Sequence, residues 1–178
     1  MSNDVDQLAD PGAQELLASP QPIRLAYAGS DGFPRVVPVG FLWKGERIYV
    51  CTATSAPKVA ALRERPRVAG VIDEGISSSD AKQLLIRGTA EIEIVDGVAP
   101  EYFEAAAKGE GGTVRDEFER SVREVFDQQA RISITPEWAR FYDFGAGKLP
   151  PFLLKLAGGG DGGIDFSQGA PVPSSGSR

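Results

Sequence analysis

The sequence contains no histidine and a single cysteine, Cys51. Without imidazole the usual side chain for holding zinc, copper or haem iron is missing, and histidine-based catalytic triads are excluded. One thiol cannot close an internal disulfide. Positive charge is also scarce: 19 Lys and Arg stand against 25 Asp and Glu, a formal net charge of -6. Binding to nucleic acid or anionic lipid through clustered cations and counterion release is therefore not expected. No apolar run approaches the roughly 18 residues that suggest a membrane span, and residues 1–10 carry acids and amides where a leader would have a basic, apolar stretch. These absences point to a cytoplasmic protein with no nucleic-acid partner, no membrane partner and no metal.

What is present is a chain of 178 residues with 42% hydrophobic positions, enough for one domain with its own core. That domain is expected over 1–156, followed by a Gly/Ser/Pro-rich flexible tail over 157–178 whose composition supplies few core residues. Asp4 to Ala18 fits a short amphipathic helix restarted at Asp10-Pro11-Gly12. Strands are expected at Ile23–Ala28, Arg35–Leu42 and Arg47–Thr52, joined by Gly-containing links that suit antiparallel hairpins. A brief helix at Ala56–Glu64 follows, then strands at Arg67–Ile72 and Gln83–Val95, the latter placing Glu91 and Glu93 on one solvated face. Helices are expected at Pro100–Ala107 and Val114–Ala130, and a closing strand pair, Arg131–Ile134 and Ala139–Phe144, split by Thr135-Pro136-Glu137. Many short strands, inserted helices and no βαβ alternation predict a mainly β fold, an antiparallel barrel with helical insertions, and exclude a Rossmann sheet.

The segment that carries most chemistry is Y-V-C-T-A-T-S-A-P-K, Tyr49 to Lys58, where a strand ends in hydroxyl residues and passes directly into a helix. Ser55 is a good cap and Pro57 suits the first turn. Lys58 then faces the positive end of the helix dipole, which is unfavourable unless an anion docks there. Thr52, Ser55 and Lys58 thus make a phosphate cradle, although a solvated surface lysine fits the same letters. Pro38, inside R-V-V-P-V-G, requires an edge, a bulge or a place free of ladder bonds. Arg35 opens that run and offers a planar fork to phosphate, or an ion pair on the surface. The aromatics Trp43, Trp138, Tyr142 and Phe144 read as core or dimer contacts, and Cys51 as a small buried hydrophobe. The run G-A-G-K-L from Gly145 is no P-loop, because Tyr142 and Leu149 occupy the positions of an essential glycine and hydroxyl.

In order and spacing these segments resemble the FMN-binding split β-barrel superfamily of pyridoxamine 5'-phosphate oxidase. The likeness runs from Ile23 to Val95, with R-I-S-I-T-P-E-W, Arg131 to Trp138, matching the closing strand. The resemblance implies that Arg35, Val36 and Val37 lie beside a flavin, that Thr52 and Lys58 hold its phosphate, with Pro57 where the oxidase has a basic residue, and that Gln83 contacts the cofactor; the local reading adds Ser55 to the phosphate and Pro38 to the backbone open to the ligand. It implies FMN or, as in some relatives, the deazaflavin coenzyme F-420, together with a small-molecule redox substrate and a homodimer with cofactors between two barrels. No protein side chain is assigned a catalytic role, since the ring carries the redox chemistry; a non-enzymatic flavin carrier or dimeric interaction module is the other reading. Gly40 replaces the lysine that holds the oxidase's substrate phosphate, and the oxidase's C-terminal signature is absent, so vitamin B6 oxidation is not expected.

Overall fold

Alternation of apolar and polar residues builds the strands. In β1, Ile23–Ala28, the side chains of Ile23, Leu25 and Tyr27 enter the core while Arg24 points out. The same rule shapes β4, Arg47–Ala53, with Ile48 and Val50 inside, and β5, Arg67–Glu74, with Val68 and Ile72 inside. The edge strands are β2, Pro34–Val39, and β3, Leu42–Lys44. The two long strands, β6 at Lys82–Asp96 and β7 at Gln128–Asp143, pair with each other along almost their whole length. In this computed structural model, which describes residues 4–77 and 79–157, the seven strands form one antiparallel sheet in the order β2-β1-β5-β6-β7-β4-β3.

That order closes the sheet on itself. β2 and β3 occupy opposite edges, yet only Gly40 and Phe41 separate Val39 from Leu42. A link of this length spans no more than about 11 Å, so the two edges are brought together without pairing, which is the geometry of a split barrel. The expected single strand Arg35–Leu42 is thus two strands. Phe41, fully buried, pins the chain where it crosses from one edge to the other. Pro38 lies on an edge strand, opposite Arg24, where its missing N–H leaves no ladder gap. The β3–β4 hairpin turns at Gly45 and Glu46, both with positive φ, 56° and 60°, the conformation that a two-residue type I′ turn demands.

The N-terminal segment forms a 3-10 turn, Asp6–Ala9, and then α1, Pro11–Ala18, with Asp10 capping the helix by accepting from Gly12 N–H at 3.0 Å. Ala13, Leu16 and Leu17 of α1 cover the core. Helix α2 spans Pro57–Glu64 and buries Val59, Ala61 and Leu62. Helix α3, Pro100–Ala107, packs on β3 and β4. Helix α4 spans only Asp116–Val125, not Val114–Ala130. The chain returns to β geometry because Ala130, Ile132 and Ile134 supply an alternating inner face of β7, and that burial outweighs helical periodicity. Of the apolar residues of the expected helix, Val122 is buried and Val114 and Phe126 pack beside it, in a small cluster with Val98 and Phe103, whereas Val125 is 73% exposed.

The expected break at Thr135-Pro136-Glu137 is no turn. β7 runs through it, with Gly88 opposite Pro136 and Arg87 opposite Trp138, so Glu137 is the extra residue of a β-bulge. The bulge accommodates Pro136 inside the strand. Helix α5, Pro151–Ala157, ends the described chain. The tail expected over 157–178 lies, apart from Ala157, outside the described residues, as does Ser78 in the polar loop before β6. No helix among the described residues is long and apolar enough to cross a membrane.

Candidate functional site

The corner between β4 and α2 is built as the sequence anticipates, with one exception. Ala53 ends the ladder against Gln129, Thr54 and Ser55 turn the chain, and Pro57 opens the helix. The N-cap is Ala56, which has no side-chain oxygen, so Ser55 does not cap α2; it sits in the turn, exposed. Lys58 is in the first helical turn and half-buried, and burial alone pushes its ammonium below the ordinary lysine range. It has neither a carboxylate nor a hydrogen-bond partner among the described residues. A desolvated cation beside an uncapped helix N-terminus is a place where an anion is stabilised by both.

The remaining expected residues fall elsewhere in the single chain. Val36 and Gln83 come together on the outer face of the sheet, in a groove of about 300 Å³ that Ala26, Ala69, Val71 and Leu85 also line. Val37 turns inward against the core, and Pro38 sits on the outer edge. Arg35 is held in its own hairpin: its guanidinium donates to Asp31 Oδ2 at 2.6 Å and to the Phe33 carbonyl at 3.4 Å. The same contact keeps the Asp31 carboxyl below its usual range. Arg35 therefore makes no contact with the Lys58 corner. Thr52, at the end of β4, faces a different cavity of about 280 Å³, formed with Val39 and Gly40 from β2's end, Cys51, and Tyr102 and Ala106 from α3.

Across the other half of the sheet, two arginines organise the acids. Arg47 donates to Glu91 at 2.8 Å and to the Ser133 hydroxyl at 3.1 Å. Arg131 pairs with Glu93 and, at 3.0 Å, with Glu101 of α3. Glu91 and Glu93 do share a face, and each is paired with an arginine, Glu93 with Arg131 of the adjacent β7 and Glu91 with Arg47 of β4, one strand further on, rather than poised as an acid and base. Trp138 lies between guanidinium partners, 4.3 Å from Arg87 and 4.7 Å from Arg140 by ring centroid. Among the described residues no group of three or more His, Cys, Asp or Glu side chains is placed to hold a metal ion.

Against known families, residues 9–143 match the model described as pyridoxamine 5'-phosphate oxidase. The chain belongs to this family. Solved structures with the same fold include a conserved hypothetical protein from Mycobacterium tuberculosis, 21% identical, with a TM-score of 0.65 over 84% of this chain and 92% of that one. An F420 reductase is 21% identical, with a TM-score of 0.55 over 71% of this chain and 94% of that one. HutZ, the heme storage protein from Vibrio cholerae, is 19% identical, with a TM-score of 0.54 over 75% of this chain and 93% of that one. No curated protein matches the chain.

Two parts of this family member escaped the sequence reading. Tyr102 and Ala106 in the wall of the Thr52 cavity carried no motif; the small-residue run Ala105-Ala106-Ala107 was the available signal, since small side chains on a helix leave room where it crosses a strand. Lys108 gave no signal at all. It is half-buried at the end of α3, over the Phe41 ring. Cys51 is as expected a covered thiol: burial foremost, with Glu101 adding to it, pushes it up to about 12, which leaves it inert as a nucleophile near neutral pH.

Proposed function

We propose that this protein is a flavin-dependent oxidoreductase that holds FMN by its phosphate at the β4–α2 corner. The observation that carries the reading is Lys58: half-buried, without a partner among the described residues, at the N-terminus of a helix with no side-chain cap. In this reading the Lys58 ammonium and the turn hydroxyl of Ser55 receive the phosphate at the positive end of the helix, while Thr52 stands at the strand end beside them. Pro57 fixes the helix start in place of a basic residue. Arg35 joins only by releasing Asp31. Bound flavin supplies the redox chemistry, and the protein's share is to hold it, shield it from water and set a small substrate against it.

The separation of the Lys58 corner from the groove of Val36 and Gln83 supports a homodimer. One copy provides the phosphate corner, and a second copy provides the strand face on which the ring lies, with Val37 and Pro38 shaping the backbone there. No side chain is assigned to acid, base or nucleophilic work; Cys51 stays protonated. Gly40, in the wall of a cavity without cations, does not supply the lysine that a phosphorylated B6 vitamer needs. The chain has no histidine with which to ligate haem iron.

The deazaflavin coenzyme F-420 is the second reading, favoured by the shared fold of the F420 reductase; the corner suits the phosphate of either cofactor. Visible absorption of the purified protein separates them, because the deazaflavin band lies to the blue of oxidised flavin. Titration of apo protein with FMN tests the site itself. Lys58→Ala weakens binding by about 1.5 to 3 kcal/mol if the ammonium bonds the phosphate; equal affinity in wild type and variant removes the assignment. Tight FMN binding with no turnover of any electron acceptor would leave a carrier or a dimeric interaction module.

A further inference from the structure

We infer that the cavity beneath α3 is a binding pocket for a small, uncharged, largely apolar molecule, with Gly40 setting its size. As the substrate of the enzyme this molecule rests on the oxidoreductase reading; as a ligand of the cavity it does not.

The lining decides the chemistry. At about 280 Å³ the space is close to the lower end of small-molecule sites, roughly 300 to 1,000 Å³, the scale of a one- or two-ring compound. Val39, Val50, Ala105 and Ala106 are its apolar lining residues, and Cys51, Thr52 and Tyr102 are the lining residues that carry polar side-chain atoms. No Asp, Glu, Lys or Arg lines it. An anion entering would lose part of its water without meeting a cation. The field at the wall adds to this, because Cys51 feels the Glu101 carboxylate more strongly than the Arg131 guanidinium. A neutral ring with one hydroxyl or carbonyl meets apolar walls and a few hydrogen-bonding groups, as small-molecule sites require.

Gly40 is not there for its backbone freedom. It is not among the residues with positive φ, and a Cβ built on it meets nothing within 4 Å. Neither conformation nor crowding demands glycine, so the missing side chain leaves volume at the exposed mouth of the cavity. Thr52 belongs both to this wall and to the strand end that leads to Lys58, which places a bound molecule next to the proposed phosphate corner.

The test is a titration of the protein as purified, followed by ¹H–¹⁵N spectra, with 2-naphthol as the neutral probe and 2-naphthoate as its anionic counterpart at pH 7. The naphthol is expected to shift the amides of Gly40, Thr52, Ala105 and Ala106 saturably, and the naphthoate to bind at least about tenfold more weakly. Gly40→Leu, which has room to fold, is expected to abolish the naphthol response. Ala106→Leu narrows the same cavity from α3 and replaces it should Gly40→Leu misfold. Equal binding of the two probes, undiminished naphthol affinity in the folded filling variant, or shifts confined to Ala26 and Val71 on the outer groove would each overturn the inference. Loss of the flavin assignment with naphthol binding intact would retire only the word substrate, so the two readings fail separately.

Discussion

The ammonium of Lys108 stands 3.5 Å from the centre of the Phe41 ring and donates to the Leu17 carbonyl at 3.3 Å, tying the end of α3 to the β2–β3 crossing and to α1. Burial lowers its pKa from 10.5 to about 8. Below about pH 8 the folded and unfolded chains both hold the proton, and the contribution does not change with pH. Between about 8 and 10.5 the unfolded chain binds more protons, so stability rises with pH in that window as the folded state sheds a poorly solvated charge. Lys108→Met keeps the apolar stem and removes the titration. Urea midpoints across pH 7 to 10 are expected to diverge in favour of wild type as pH increases; parallel profiles would show that the ammonium is fully solvated.

The bulge in β7 yields a second prediction. A Cβ on Gly88 would lie 2.2 Å from the Thr135 carbonyl oxygen and 3.0 Å from its carbon, and backbone cannot step aside as a side chain can. Gly88→Ala is expected to lose about 1 to 3 kcal/mol of stability, as overpacked sites do. Gly40→Ala, with nothing near its new methyl, is the control and should stay within about 0.5 kcal/mol of wild type. Matching urea midpoints for the two variants would mean that β6 and β7 do not approach as described.

The bulge also marks where sequence reasoning ran out. Local patterns gave β1, α2 and α3 almost to the residue, because each has a clean period and a breaker at each end, such as Ser19-Pro20 before β1 and Pro57 or Pro100 at a helix start. Pro136 looked like such a breaker, yet its strand partner, Gly88, lies far away in the chain and makes room for it. Gly40-Phe41 hid a crossing between opposite sheet edges for the same reason: apolar residues on either side read as one strand, and only pairing distinguishes them. At the site, the helix start and Lys58 were legible as a dipole mismatch. For Arg35 the surface ion pair was one of the two readings, and the structure supplies its partner, Asp31 in the preceding turn. The cavity under α3 depends on how a helix settles across β4, a tertiary fact with no local period.

A third prediction concerns that helix. Arg131 and Glu101 are 29% and 13% exposed, and the second carboxylate oxygen of Glu101 is buried without a hydrogen-bond partner. Arg47 and Glu91 are 39% and 69% exposed. The two pairs differ in what their loss leaves behind. Arg131→Ala leaves the mostly covered Glu101 carboxylate without its ion-pair partner, for a loss approaching about 3 kcal/mol. Arg47→Ala returns Glu91 to water, for about 1 kcal/mol or less. Adding Glu101→Gln to Arg131→Ala removes the stranded charge and is expected to restore part of the stability, an effect that a purely steric role for Arg131 would not produce. Equal, small losses for Arg131→Ala and Arg47→Ala in thermal or urea unfolding would mean that water reaches Glu101, and with it the wall of the cavity beside Cys51.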